Sequence, residues 1–101
     1  MSTGREVDRE QVDRLMIVSP NSGDYYKIDP VLRPEYQTIT IAGFVPRGLT
    51  GVVLRVNGKE DLPFDAAGVE WKLQKGVFRF QLYGFVEQKQ VHSSTVIINV
   101  E

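Results

Sequence analysis

The sequence predicts an all-β domain, a single antiparallel two-sheet sandwich of immunoglobulin-like topology with about seven strands. Three observations predict it. In the segment 69–82, Val69, Trp71 and Leu73 alternate with Glu70, Lys72 and Gln74, and Phe78, Phe80 and Leu82 alternate with Arg79 and Gln81. A period of two puts each apolar set on one face of a strand, with the charged set on the face in water. The same alternation recurs at Ile39/Ile41, Val52/Leu54/Val56 and Val96/Ile98/Val100. Finally, Asn57-Gly58 is the strongest short hairpin signal in the chain, and no long helical spacing separates the strands. A small closed barrel shows similar alternation and is the alternative architecture.

The elements follow in order. Leu15–Val18 begins a strand that Ser19-Pro20-Asn21-Ser22-Gly23-Asp24, a cluster of turn formers, brings to a stop. Tyr25–Ile28 resumes an extended course. Asp29-Pro30 and Arg33-Pro34 keep the next stretch out of helix, because a residue before proline is pushed toward extended geometry. A strand over 37–44 turns Ile39 and Ile41 to one side and Thr38 and Thr40 to the other. Gly48 and Gly51 bracket a loop, and the strand Val52–Val56 runs to the Asn57-Gly58 turn. A weak strand or turn at Leu62-Pro63-Phe64 leads into the two runs around Trp71, which Lys75-Gly76 is expected to join as a hairpin. Gly84 and the polar Glu87-Gln88-Lys89-Gln90 loop then precede the last strand. The expected core is Ile17, Ile39, Ile41, Val52, Leu54, Val56, Val69, Trp71, Leu73, Phe78, Phe80, Leu82, Val96, Ile98 and Val100.

The chain is long enough for one core: 101 residues, 42% apolar and 25% charged. Residues 1–14 differ from the rest, since seven of the ten residues 5–14 are charged. They are expected to be a charged linker or flexible N-terminal segment, with the sandwich over 15–101. Twelve basic residues against thirteen acidic ones, interspersed, make a net charge of −1. That leaves no basic stripe for a phosphate backbone, so nucleic acid is not an expected partner. No run reaches the roughly 18 apolar residues of a membrane span, and no signal-peptide core follows Met1. The chain is therefore expected to be cytoplasmic or a piece of a longer exported protein. Without cysteine there are no disulfides and no thiolate metal sites.

Catalytic constellations are hard to find. The single histidine, His92, stands beside Ser93 and Ser94. Neighbours on a strand point to opposite faces, and residues two apart are about 6–7 Å apart by the rise per residue. A nucleophilic triad would also need an orienting acid and an oxyanion hole, so His92 reads as a surface residue. Glu60, Asp61, Asp65 and Glu70 lack the spacing of a calcium loop, and one histidine without cysteine cannot build a zinc site unaided. No cofactor, metal or catalytic residue is expected. Aromatic side chains are the remaining signal: Tyr25, Tyr26, Tyr36, Phe44, Tyr83 and Phe85 lie at strand ends and loops. Tyr25-Tyr26 and a Tyr83-Gly84-Phe85 turn are the candidate binding residues, because planar amphipathic side chains give contact area at low entropy cost. Tyr83 is the best exposed of them, being out of phase with Phe78, Phe80 and Leu82.

Several segments taken in order resemble a known family. They are Ile17-Val18-Ser19-Pro20, Gly23-Asp24-Tyr25-Tyr26-Lys27-Ile28-Asp29-Pro30, Pro34-Glu35-Tyr36-Gln37-Thr38-Ile39, Val56-Asn57-Gly58, and Trp71-Lys72-Leu73-Gln74-Lys75-Gly76-Val77-Phe78. The set resembles the small C-terminal domain of class A penicillin-binding proteins of the 1C type, from about residue 16 onward. The chain departs from the family where Asn57-Gly58 replaces the usual Asp-Gly, and in lacking a tryptophan near Leu54. The resemblance implies a periplasmic setting, as part of a larger membrane-anchored or exported peptidoglycan synthase. It also implies a non-catalytic role, because the family's glycosyltransferase and transpeptidase belong to other domains. No Ser-x-x-Lys or Lys-Thr/Ser-Gly motif occurs here. Glu60-Asp61-Leu62-Pro63-Phe64 echoes a glycosyltransferase motif only superficially, since Ala67 and Val69 stand at its histidine and glycine positions. The expected function is protein docking, cell-wall contact or domain positioning, with a cell-envelope protein or peptidoglycan as partner. A stand-alone carbohydrate-binding or cell-envelope interaction module is the alternative.

Overall fold

The alternating pattern folds as expected into two sheets. The computed structural model describes residues 14–101; most of the segment assigned as a charged linker, residues 1–13, lies outside the described residues. Among the described residues nine strands follow in order: β1 (Met16–Ser19), β2 (Tyr25–Tyr26), β3 (Thr38–Phe44), β4 (Thr50–Val56), β5 (Glu60–Pro63), β6 (Val69–Lys72), β7 (Gly76–Val86), β8 (Lys89–His92) and β9 (Val96–Val100). A 3-10 turn at Pro34–Tyr36 is the one helical element among the described residues. The smaller sheet has the order β1-β3-β6, and the larger β2-β9-β7-β4-β5, with β8 paired to β7. All pairs are antiparallel except β2 with β9, which is parallel.

The sheets enclose one core. Leu54, Phe80, Leu82 and Ile98 of the larger sheet and Ile41 of the smaller are fully buried. Ile17, Val56, Trp71, Val96 and Val100 are buried with them, while Ile39, Val52, Val69, Leu73 and Phe78 are half-buried against the same cluster. All fifteen expected core positions thus belong to it. Two other buried residues join them: Leu15, just before β1, and Phe64, whose N–H donates to the Val52 carbonyl at 3.2 Å and prolongs the β4–β5 pairing. Phe64 follows Pro63, the last residue of β5, and a proline there obscures that the pairing extends one bond beyond the strand.

Asn57-Gly58 closes the β4–β5 hairpin. Both residues have positive φ, 55° and 70°, as the primed hairpin turns require. The Lys59 N–H donates to the Val56 carbonyl at 3.0 Å.

Two expectations need correction. The Trp71 runs are not a hairpin: β6 pairs with β3 and β7 with β4, β8 and β9, so they lie in opposite sheets. The Leu73 N–H still donates to the Gln37 carbonyl, 2.9 Å, in the smaller sheet. Gln74 and Lys75 then carry the chain across to β7. Trp71 meets Phe78 and Phe80 edge-on across the core, with ring centroids 4.7 and 5.2 Å apart. A hairpin on one sheet and a bridge between two sheets both aim their apolar sets at one core, which is why alternation does not separate them. The second correction is the strand count. Tyr25–Tyr26 forms a separate edge strand, and Lys89-Gln90, expected in the polar loop, joins Val91 and His92 in β8, which returns along β7.

Candidate functional site

The loop 29–37 is the most unusual surface feature. Asp29-Pro30 and Arg33-Pro34 deny it a regular helix, and local bonds shape it instead. The Asp29 carboxylate accepts the Val31 N–H at 2.9 Å, an Asx turn. Tyr36 and Gln37 donate their N–H groups to the carbonyls of Arg33 and Pro34, each at 3.0 Å. The Gln37 side chain then ties the ends together. Its Oε1 accepts from the Asp29 N–H at 2.8 Å, and its Nε2 donates to the carbonyls of Asp29 at 2.9 Å and Leu32 at 3.1 Å. Gln37 is buried, so these bonds exchange with little water.

What the loop displays is apolar. Val31 is 88% exposed, Tyr36 73% and Leu32 52%. Scattered surface hydrophobics are ordinary. Three on one hydrogen-bonded loop, flanked by Arg33 and Glu35, form an exposed apolar surface whose backbone is held in place. Tyr36 was among the aromatic residues the sequence singles out, but Val31 and Leu32 were not. The available signal was two X-Pro steps bracketing an aliphatic pair.

The candidate residues Tyr25, Tyr26, Tyr83 and Phe85 occupy two separate places. Tyr25, on β2, is 55% exposed, and its hydroxyl donates to Glu101 Oε1. That bond, with slight desolvation and the nearby negative charge, raises the phenol above its ordinary pKa. Tyr26 faces the other way, half-buried against the core, and burial with the Asp24 carboxylate raises its phenol. Tyr83 and Phe85 lie within β7, not in a turn. Gly84 between them marks a close approach instead. It is buried, and a Cβ there would meet Leu49 Cδ2 at 3.0 Å and Val52 Cγ2 at 3.1 Å.

Tyr25 stands level with Asn99 and, across β9, with Val77. Tyr83 is six positions farther along β7, about 20 Å away at the rise of a strand. The four therefore form no continuous aromatic row. Tyr83 is also covered: the Arg55 guanidinium lies 4.2 Å from its ring centroid, the His92 ring 5.7 Å, and its hydroxyl donates to Gln81 Oε1 at 3.0 Å. Phe85 is the open one of the pair, at 42% exposure.

His92 is exposed, beside an open groove of about 670 Å³ lined by Leu15, Met16, Gln81, Ser93 and Thr95 among others. Ser93 is buried and its hydroxyl is engaged on both sides, accepting from the Leu82 N–H at 2.9 Å and donating to the Ser94 carbonyl at 2.8 Å. The Gln81 amide nitrogen lies 2.7 Å from the Ser93 carbonyl and 3.1 Å from His92 Nδ1. These bonds splice the end of β8 onto β7, and the serine's proton is held by a main-chain carbonyl, not by the imidazole. Among the described residues, no three histidine or carboxylate side chains gather as a metal ion would require. Nor is any helix among them long and apolar enough to cross a membrane. No protein-family model matches the chain, and no curated protein matches it in sequence.

Proposed function

We propose that this chain is a non-catalytic docking module, an accessory domain of a peptidoglycan synthase of the 1C penicillin-binding type acting in the periplasm. Its partner is a cell-envelope protein, held through the loop 29–37. The observation that carries docking is that loop: apolar side chains at Val31, Leu32 and Tyr36 held out by a buried, fully bonded Gln37. The ordered set of segments resembling the synthase appendage supports the setting. The connectivity supports the immunoglobulin-like reading, since β1-β3-β6 against β9-β7-β4 divides the chain as strands A-B-E and G-F-C divide in that arrangement.

Protein is favoured over glycan as the partner. Sugar rings call for an open planar platform, whereas the tyrosines here are dispersed and Tyr83 is stacked beneath Arg55. A photo-crosslinker at Leu32 in cell-envelope extract, read by mass spectrometry, tests the proposal. One protein is expected to be captured in the parent sequence and lost in Val31→Ala/Tyr36→Ala, with sedimentation on purified peptidoglycan unchanged. Binding to peptidoglycan that the double substitution abolishes would replace protein docking by wall contact.

A further inference from the structure

We propose that the free edge of β6 pairs with the same edge of a second copy of this chain, forming a two-fold dimer whose smaller sheets join into one. β6 is an edge strand with β3 on one side and, among the described residues, no strand on the other. The Leu73–Gln37 bond sets the phase of the β3–β6 ladder. In an antiparallel pair, bonded and non-bonded positions alternate. Trp71 and Val69 thus bond inward to β3, while Glu70 and Lys72 turn their N–H and C=O groups to the open side.

A two-fold axis beside Trp71 sets Glu70 opposite Lys72 of the partner subunit, and Lys72 opposite Glu70 of the partner subunit. Each such pair exchanges both main-chain bonds, with Cα atoms about 5.5 Å apart. Glu70 and Lys72 are both exposed and project from the same outer face, so each main-chain pair carries a cross-strand ion pair. The edge is self-complementary in backbone and in charge.

Three of the other edges are guarded against such pairing. β5 presents Glu60 and Asp61 and ends at Pro63, which has no N–H. β1 is interrupted by a bulge between Ile17 and Ser19, and β2 has two residues. Like charge, proline, bulges and shortness are the usual protections of a sheet edge. β6 is also short and charged, at four residues with Glu70 and Lys72, but it has neither proline nor bulge and its two charges are opposite, so a copy is attracted.

Sedimentation velocity of the full chain over a concentration series tests the dimer. The parent chain is expected to self-associate, and more weakly at high salt. Lys72→Glu sets Glu70 against a partner glutamate, and Glu70→Lys sets Lys72 against a partner lysine. Each is expected to weaken association by about tenfold or more, two attractive pairs having become repulsive. The double exchange Glu70→Lys/Lys72→Glu is expected to restore it, and an equimolar mixture of the two single variants to form a heterodimer. Circular dichroism checks the fold of each variant. A chain that stays monomeric up to millimolar concentration, single variants that associate like the parent, or a mixture that fails to associate would each overturn the proposal.

Discussion

Gln37 shows how much one residue can organise and how little its sequence context reveals it. Glutamine is usually exposed; the period of two sets Gln37 in phase with Ile39 and Ile41, on the inward face, but tells nothing of the partners it finds there. Its three bonds join residues five and eight positions back along the chain. Such pairings depend on the loop's return path, which periodicity does not encode. Replacing it by leucine keeps the bulk and removes all three bonds. Gln37→Leu is expected to cost about 1–3 kcal/mol in urea unfolding, the range for leaving partly buried main-chain groups unpaired. Hydrogen exchange at the Asp29 amide should accelerate with it. An unchanged Asp29 amide would mean that the two Asx and 3-10 turns hold the loop without the side chain.

At the scale of the element, the β4–β5 hairpin was the most legible part of the chain and the β6–β7 connection the least. Asn57-Gly58 carries its own geometry, since positive φ at both residues admits few alternatives. Lys75-Gly76 carries none that distinguishes a hairpin from a bridge between sheets. β8 was illegible for a different reason: Lys89 and Gln90 are polar and exposed, and the strand is held by main-chain pairing with β7 instead of burial. The β4–β5 hairpin also carries a titratable clasp on its outer face. Arg55 Nε and Nη2 donate to the two Asp61 carboxylate oxygens at 2.8 and 3.1 Å. These bonds hold the Asp61 carboxyl below the ordinary aspartate range, with the guanidinium charge adding to them and desolvation partly opposing. A carboxyl with a lowered folded-state pKa stabilises fully above its unfolded pKa, about 4, and loses that contribution as pH falls through the folded value. Asp61→Asn should therefore lower the melting temperature by a constant margin at neutral pH, and the margin should shrink below about pH 4. A margin that is flat down to acid denaturation would assign the loss to packing or to the amide itself.

The molecule as a whole is held by contacts between its two sheets, and the chain's single tryptophan stands at that junction. Trp71 belongs to the smaller sheet, is 6% exposed, and packs edge-on against Phe78 and Phe80 of the larger. Neither sheet can bury its apolar face alone. β1, β3 and β6 offer Ile17, Ile41 and Trp71 as their buried side chains, and these pack in one cluster with Phe80 and Leu82 of the larger sheet. Separate unfolding of either layer would expose the other's core to water, so the domain is expected to unfold in one step. Tryptophan fluorescence reports the junction, and far-ultraviolet circular dichroism reports all strands. Their denaturant transitions should coincide. Trp71→Ala removes the ring and leaves a void between the layers, with an expected loss of about 3–5 kcal/mol, the range for truncating a buried large aromatic. Trp71→Phe keeps an aromatic edge against Phe78 and Phe80 and should lose distinctly less. A loss under about 1 kcal/mol for the alanine variant would show that the sheets are held elsewhere, at Leu54, Leu82 and Ile98. Transitions that separate would show that β1, β3 and β6 unfold before the larger sheet does.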